Sequence, residues 1–157
     1  MKTNLSLIIL VMLLGLLSVG ALFGGGALMI SPNGNLLQMP ISFLDSSPFK
    51  NFFMPGLILF SILGLFPIIV ILGLIKKPTC KICEMVNLLK DMHWAWSFCI
   101  YISFGLIIWI QAQMIFLKTV FWLQTFYMTY ALILLIILLL PPTRRSFNKE
   151  NITRVQI

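Results

Sequence analysis

Four long apolar runs alternate with short polar segments along the chain. The runs carry no charge and cover residues 5–30, 54–75, 94–116 and 121–140. A bilayer core of about 30 Å needs about 20 consecutive apolar residues in a helix. Because the runs are continuously apolar rather than alternating, they are typical of helices and not of barrel strands. The pattern predicts an all-α, membrane-spanning four-helix bundle that forms a single domain over residues 1–157.

Composition leads to the same class of protein. Hydrophobic residues make up 60% of the 157 positions and charged residues 10%, with a mean hydropathy of +1.04. A soluble domain carries roughly 25% charged residues, and a disordered chain is polar. Both classes are excluded, and three cysteines are too few for a disulfide-stapled secreted module.

The first run could also be a cleaved signal peptide, with Lys2 ahead of it and Ser18 and Gly20 near a cleavage position. A signal peptide has an apolar core of roughly 7–15 residues. Here the apolar run continues to Ile30, so we expect the first span to be retained.

Basic residues are divided unequally between the two sides of the predicted bundle, with nine on the side of the termini and two on the opposite side. Loops that are rich in Lys and Arg remain in the cytoplasm. We therefore expect a plasma-membrane protein with both termini and the tail 141–157 in the cytoplasm, and residues 31–53 outside. This bias also accounts for the net charge of +7 without a nucleic-acid partner. Two basic residues lie on the outer side, Lys50 and Lys118, and nine on the inner side: Lys2, Lys76, Lys77, Lys81, Lys90, Arg144, Arg145, Lys149 and Arg154.

The outer loop carries turn and helix signals. Asn33-Gly34 favours a turn, since both residues tolerate a positive φ. Ser47-Pro48 is typical of a helix N-cap followed by proline at the first helical position. Three phenylalanines then share one helical face, Phe49, Phe52 and Phe53. We expect a short interfacial helix here.

Polar residues cluster near the outer hairpin between the last two spans. Gln111, Gln113 and Gln124 lie within roughly 8–11 Å of the turn at Lys118, at 1.5 Å of rise per residue. With Tyr127 and the outer-loop residue Asp45, they are candidates for an outward-facing polar pocket: Asp45, Gln111, Gln124 and Tyr127. Hydrogen bonding between helices explains the same amides, because no charged residue lies inside a span.

Cys80 and Cys83 form a Cys-x-x-Cys pair in the second loop. Such a pair can be a redox couple, a site of lipid modification or half of a zinc site. His93 and Cys99 do not complete a tetrahedral site, since Cys99 falls inside the third span. The cytoplasm is reducing, so we expect two free, dispensable thiols, and neither a metal nor a cofactor.

Gly20 and Gly24 form a small-xxx-small face on the first span, extended by Gly25 and Gly26. Such a face lets another helix approach closely. It makes a homo-oligomer or a partner membrane protein possible, beside the lipid bilayer itself.

The chain resembles a family of small four-span integral membrane proteins of bacteria and archaea with no assigned activity. The resemblance runs from about Gly24 to Leu140. It implies the four-helix architecture and supplies no function. The family often has an aspartate at the position of Ser31, and the Cys80/Cys83 pair is not part of its pattern. The motifs that carry the resemblance are the glycine-rich first span, Pro32-Asn33-Gly34, Ser47-Pro48-Phe49, Pro55-Gly56-Leu57, Trp109-Ile110-Gln111 and Gln124.

These features favour a non-enzymatic integral membrane protein that binds a lipid, a small molecule or a partner span at its outer face. The alternative is a membrane thiol-disulfide oxidoreductase that uses Cys80 and Cys83. A third candidate is a small-molecule transporter, although proton-coupled export of cations needs a carboxylate inside a span and none is present.

Overall fold

A computed structural model describes residues 5–150, which form six helices and, beyond one isolated bridge, no β-strand. Four of these helices are long and apolar enough to cross a membrane. The predicted all-α bundle is confirmed, and each predicted run matches a helix to within one residue at either end. The long helices are α1 (Leu5–Ile30), α2 (Phe53–Lys76), α4 (Trp94–Leu117) and α5 (Trp122–Leu139); the short ones are α3 (Lys81–Val86) and α6 (Pro141–Phe147).

The long helices end where the sequence stops favouring a helix. After α2, Lys77 takes a left-handed conformation with φ 46°, and its N–H still bonds to the Gly73 carbonyl. Lys118 ends α4 in the same way, with φ 51°. Leu140 is extended ahead of Pro141, as the clash of a proline ring with a preceding helical residue requires.

The middle of α2 departs from α-helical geometry. Residues Leu59–Leu65 form a π-helical segment, and the Phe66 N–H bonds to the Ser61 carbonyl five residues back. Pro67 follows directly and has no N–H to donate. The helix therefore has a widened, π-helical turn directly before this proline.

Helices α1 and α2 make the closest contact in the bundle. A Cβ added at Gly25 would lie 2.7 Å from the Gly56 carbonyl oxygen and 2.7 Å from the Phe60 nitrogen. Farther along, the buried Ser18 hydroxyl donates to the Gly64 carbonyl. The two backbones can approach this closely at Gly25 and Gly56 because neither residue has a side chain.

Packing is uneven along the bundle. We call the end with residues 31–52 and the α4–α5 turn the loop end, and the end with α3 and α6 the tail end. Apolar residues with zero exposure in the long helices all lie in the half nearer the tail end: Leu10, Leu14, Val70, Leu74, Ala95, Cys99, Ala131, Leu134 and Leu138. The helices are therefore densely packed at the tail end and looser at the loop end.

The segment between α1 and α2 folds differently from its prediction. Gly34 has φ 81°, as the predicted turn requires, and two short 3₁₀ turns follow at Asn35–Leu37 and Ile41–Leu44. The expected helix from Ser47-Pro48 is absent. Instead, the Ser47 hydroxyl donates to the Leu44 carbonyl and accepts from the Phe49 N–H, which closes a local turn.

The start of the predicted cytoplasmic tail is also ordered. Pro141 begins the short helix α6, a position that its fixed φ favours. The helix ends at Phe147, which is fully buried, and the Phe147 carbonyl accepts from the His93 N–H at 2.8 Å. Lys2 and Arg154, two of the nine inner basic residues, and residues 151–157 of the predicted tail lie outside the described residues.

Candidate functional site

A cavity of about 430 Å³ opens among the long helices at the loop end. Helices α1, α2, α4 and α5 form its walls, and three apolar residues from the 3₁₀ region form a roof: Leu37, Met39 and Phe43. The roof is held by ring contacts, because Phe43 packs on Phe121 with 6.0 Å between centroids and Phe49 meets Phe116 edge-on at 6.3 Å. The volume lies in the range of small-molecule sites, roughly 300–1,000 Å³.

Helical spacing explains which residues line the cavity. Helix α1 contributes Leu17, Gly20 or Ala21, Gly24 and Leu28, and α4 repeats this spacing with Leu106, Ile110, Gln113 and Leu117. Positions that are three, four or seven residues apart share one face of a helix. The two glycines leave room because they have no side chain.

The cavity contains two of the four residues predicted for the pocket. Gln124 and Tyr127 line it from α5, with Gln124 4% exposed. Asp45 and Gln111 are exposed and do not line it. The four residues therefore do not converge as expected.

The error in predicting Gln111 has a geometric cause. An equal distance from the turn fixes the depth of a residue but not the direction of its side chain. Gln113, two residues further along, points roughly 200° away from Gln111 and lines the cavity. Gln113 shares a helical face with Leu106, Ile110 and Leu117, and this spacing in the sequence could have identified it.

The polar groups of the cavity have unused hydrogen-bonding capacity. The Oε1 of Gln124 accepts from the Phe121 N–H at 3.0 Å, while its Nε2 has no partner within residues 5–150. The Tyr127 hydroxyl and the Gln113 amide make no hydrogen bond there either. These groups are therefore free to hydrogen-bond to a polar atom of a ligand.

Gly20 and Gly24 face other parts of the same chain. A Cβ added at Gly20 would lie 3.2 Å from the Tyr127 hydroxyl, and one at Gly24 would lie 3.6 Å from Leu59. The small-xxx-small face thus borders the cavity. A contact with a second chain through these glycines stays a prediction.

The cysteine pair lies at the opposite end. The Sγ atoms of Cys80 and Cys83 are at disulfide-bonding distance, with their Cα atoms 5.2 Å apart, which differs from the two free thiols expected. The first turn of α3 brings the two residues together, and the Cys83 N–H bonds to the Cys80 sulfur. Cys99 is buried in α4 and is free. Among residues 5–150, no group of three or more His, Cys, Asp or Glu could hold a metal ion.

Charged groups at the tail end hold α6 and the residues after it against Lys77 and α3. Lys149 pairs with Glu84 at 2.6 Å, and Lys77 donates to the Ser146 carbonyl at 2.9 Å. Burial raises the pKa of Glu84, but hydrogen bonds from Lys149 and Asn87 outweigh it and hold the pKa below its ordinary value. Burial lowers the pKa of His93, whose Nδ1 accepts from the Ala95 N–H. These contacts explain how α6 is positioned.

No protein-family model, curated protein or solved structure matches the chain. The resemblance to small four-span membrane proteins therefore stays a prediction, and the functional proposal depends on the geometry of the chain itself.

Proposed function

We propose that the chain is a non-enzymatic integral membrane protein that binds a lipid or another apolar small molecule in the loop-end cavity. In the proposed topology both termini are cytoplasmic and the loop end faces outward, as the distribution of basic residues favours. The observation that carries the proposal is the cavity of about 430 Å³ with its apolar walls and free polar groups.

The size of the cavity favours a small ligand over a partner span. The lining extends over twelve residues of α1, from Leu17 to Leu28, and the eleven steps between them correspond to roughly 16 Å of helix. A cavity of about 430 Å³ lies in the range of small-molecule sites, roughly 300–1,000 Å³.

The test is native mass spectrometry of the full-length protein, purified from its membrane in a mild detergent. The wild type should retain a bound molecule of defined mass. Gly24→Leu should lose it, because the new side chain enters the cavity, where its Cβ makes only an ordinary contact with Leu59. Gly15→Leu is the matched control on the same helix, since a Cβ at Gly15 meets nothing within 4 Å. An equal adduct on Gly24→Leu, or none on the wild type, would contradict the proposal.

A second candidate, a thiol-disulfide oxidoreductase, is favoured by the juxtaposed sulfurs of Cys80 and Cys83. In the exchange, two glutathione thiols are oxidised to glutathione disulfide while the protein disulfide is reduced to two thiols. Structural disulfides have potentials below roughly −300 mV, whereas exchanging pairs lie higher. Alkylation with a maleimide in glutathione buffers, on a Cys99→Ser background, measures this potential. A value below that limit excludes the second candidate.

A further inference from the structure

We propose that the ligand is an uncharged, single-chain amphiphile whose head group carries hydrogen-bond acceptor oxygens, such as an ester carbonyl. Its head lies under the roof, near Gln124 and Tyr127, and its chain extends toward the middle of the bundle. This inference rests on the function proposed above and specifies the ligand of that site.

Gln124 determines the polarity of the head group. Its Oε1 is engaged by the Phe121 N–H, and this bond fixes which end of the amide is oxygen, because a backbone N–H needs an acceptor. The Nε2 group is therefore the unpartnered end of the amide, and it can only donate. The residue is 4% exposed and lines the cavity, so this donor is available to an occupant of the cavity.

Two further polar groups lie nearby. Tyr127 is one helical turn from Gln124 on the same face of α5, and its hydroxyl lies against Gly20 across the cavity. Gln113 lines the cavity from α4. The Tyr127 hydroxyl and the Gln113 amide can each donate a hydrogen bond, as the Nε2 group of Gln124 can. Together these three groups best match a head group with at least two acceptor oxygens.

The lining excludes a charged head group. None of the residues around the cavity is Asp, Glu, Lys, Arg or His. An ionised group that is brought out of water without a counter-charge pays a large desolvation penalty. The ligand is therefore neutral.

The shape of the cavity sets the ligand's direction and number of chains. The floor consists of Leu17, Leu63 and Leu106, which are all at most 3% exposed, while the amides lie toward the roof. A volume of about 430 Å³ over roughly 16 Å of helix is narrow. It suits one extended chain that points away from the polar groups.

The experiment measures binding of tritiated 1-oleoylglycerol to the full-length protein in detergent at pH 8, with unlabelled 1-oleoylglycerol, oleate and octadecane as competitors. We expect 1-oleoylglycerol to compete at least ten times better than either of the others. Octadecane has the chain without the head group, and oleate has the chain with a charge.

Variants separate the head group from the chain. Gln124→Glu keeps an oxygen for the Phe121 N–H, and a carboxylate is favoured at this helix N-terminus, but the donor is lost. It should weaken binding about tenfold or more. Tyr127→Phe removes only the hydroxyl and should weaken binding about 2–10-fold, the range for one hydrogen bond. Gln111→Glu is the matched control, because Gln111 is exposed away from the cavity, and its binding should not change.

Each contrary outcome identifies which claim is wrong. Equal competition by octadecane, together with unchanged binding by Gln124→Glu and Tyr127→Phe, overturns the head-group assignment and leaves the apolar cavity as the site. Tighter binding of oleate overturns neutrality. Failure of the wild type to bind any of the three probes overturns the assignment, while an adduct of another class in native mass spectrometry would still support the proposed function.

Discussion

The contact between α1 and α2 makes a quantitative prediction about two glycines of the same helix. An alanine at Gly25 would put its Cβ 2.7 Å from the Gly56 oxygen and 2.7 Å from the Phe60 nitrogen. Both are backbone atoms, so neither can move aside by a change of rotamer. Overpacking of this kind typically costs about 1–3 kcal/mol. An alanine at Gly15 meets nothing within 4 Å.

The comparison isolates the steric effect. Replacing glycine by alanine inside a helix contributes roughly 0.8–1.0 kcal/mol of helix propensity, and this contribution is shared by both variants. Gly25→Ala should therefore be less stable than Gly15→Ala by about 1–3 kcal/mol, a roughly 5–150-fold difference in the unfolding equilibrium. Gly56→Ala should act at the same crossing, where its Cβ would lie 2.8 Å from the Leu28 Cβ. The double variant should lose less than the sum of the two single losses.

The assay is reversible unfolding of the full-length protein in mixed micelles with an increasing fraction of dodecyl sulfate, followed by tryptophan fluorescence and circular dichroism. Gly105→Ala, on α4, is a second control with an open Cβ position. Equal stability of Gly25→Ala and Gly15→Ala would contradict this prediction, because it would mean that α1 and α2 do not approach closely at Gly25.

Three further predictions concern topology, the cysteines and pH. Reporter fusions after Phe53 and after Ile157 should report opposite compartments, and the same compartment for both would remove the proposed topology. Replacing Cys80 and Cys83 together by serine should leave the yield and the thermal midpoint in detergent unchanged, since α3 has no fully buried residue; a lower midpoint would show that the pair stabilises the fold. The folded-state pKa of Glu84 is held below its ordinary value of 4.5. The ion pair between Glu84 and Lys149 therefore stabilises the folded protein fully above pH 4.5, and this stabilisation disappears as the pH falls through the lowered pKa. A spin label at the exposed position Glu150 should become more mobile as the pH falls through this range. In a Lys149→Met background, the mobility of the label should not depend on pH over the same range.

The long helices could be predicted from sequence because each signal is local. Uncharged runs that end at Lys76-Lys77-Pro78 or Pro141-Pro142 leave little freedom in where a helix stops. The loop could not be predicted in the same way. Ser47 and Asn51 are both able to cap a helix, and the structure uses the Asn51 side chain to accept from the Phe53 N–H at the start of α2.

The candidate site was predictable in part for a related reason. Gln124 and Tyr127 lie three residues apart, so their shared face follows from helical spacing alone. The choice between Gln111 and Gln113 depends on the rotation of α4 about its axis, which packing against α2 and α5 sets. The roof of Leu37, Met39 and Phe43 depends on ring contacts between distant segments, such as Phe43 with Phe121. Periodicity within one run carries no information about such contacts.

The most direct test of ligand binding in the cavity is photolabelling in membranes with a 1-acylglycerol that carries a diazirine in its chain, followed by peptide mass spectrometry. We expect labels on cavity-lining residues such as Leu106, Trp109 and Leu63, and these labels should be removed by excess 1-oleoylglycerol and absent from Gly24→Leu. Labels that are confined to exposed residues of the same helices, such as Ile108 and Ile62, and that excess 1-oleoylglycerol does not remove would contradict binding in the cavity.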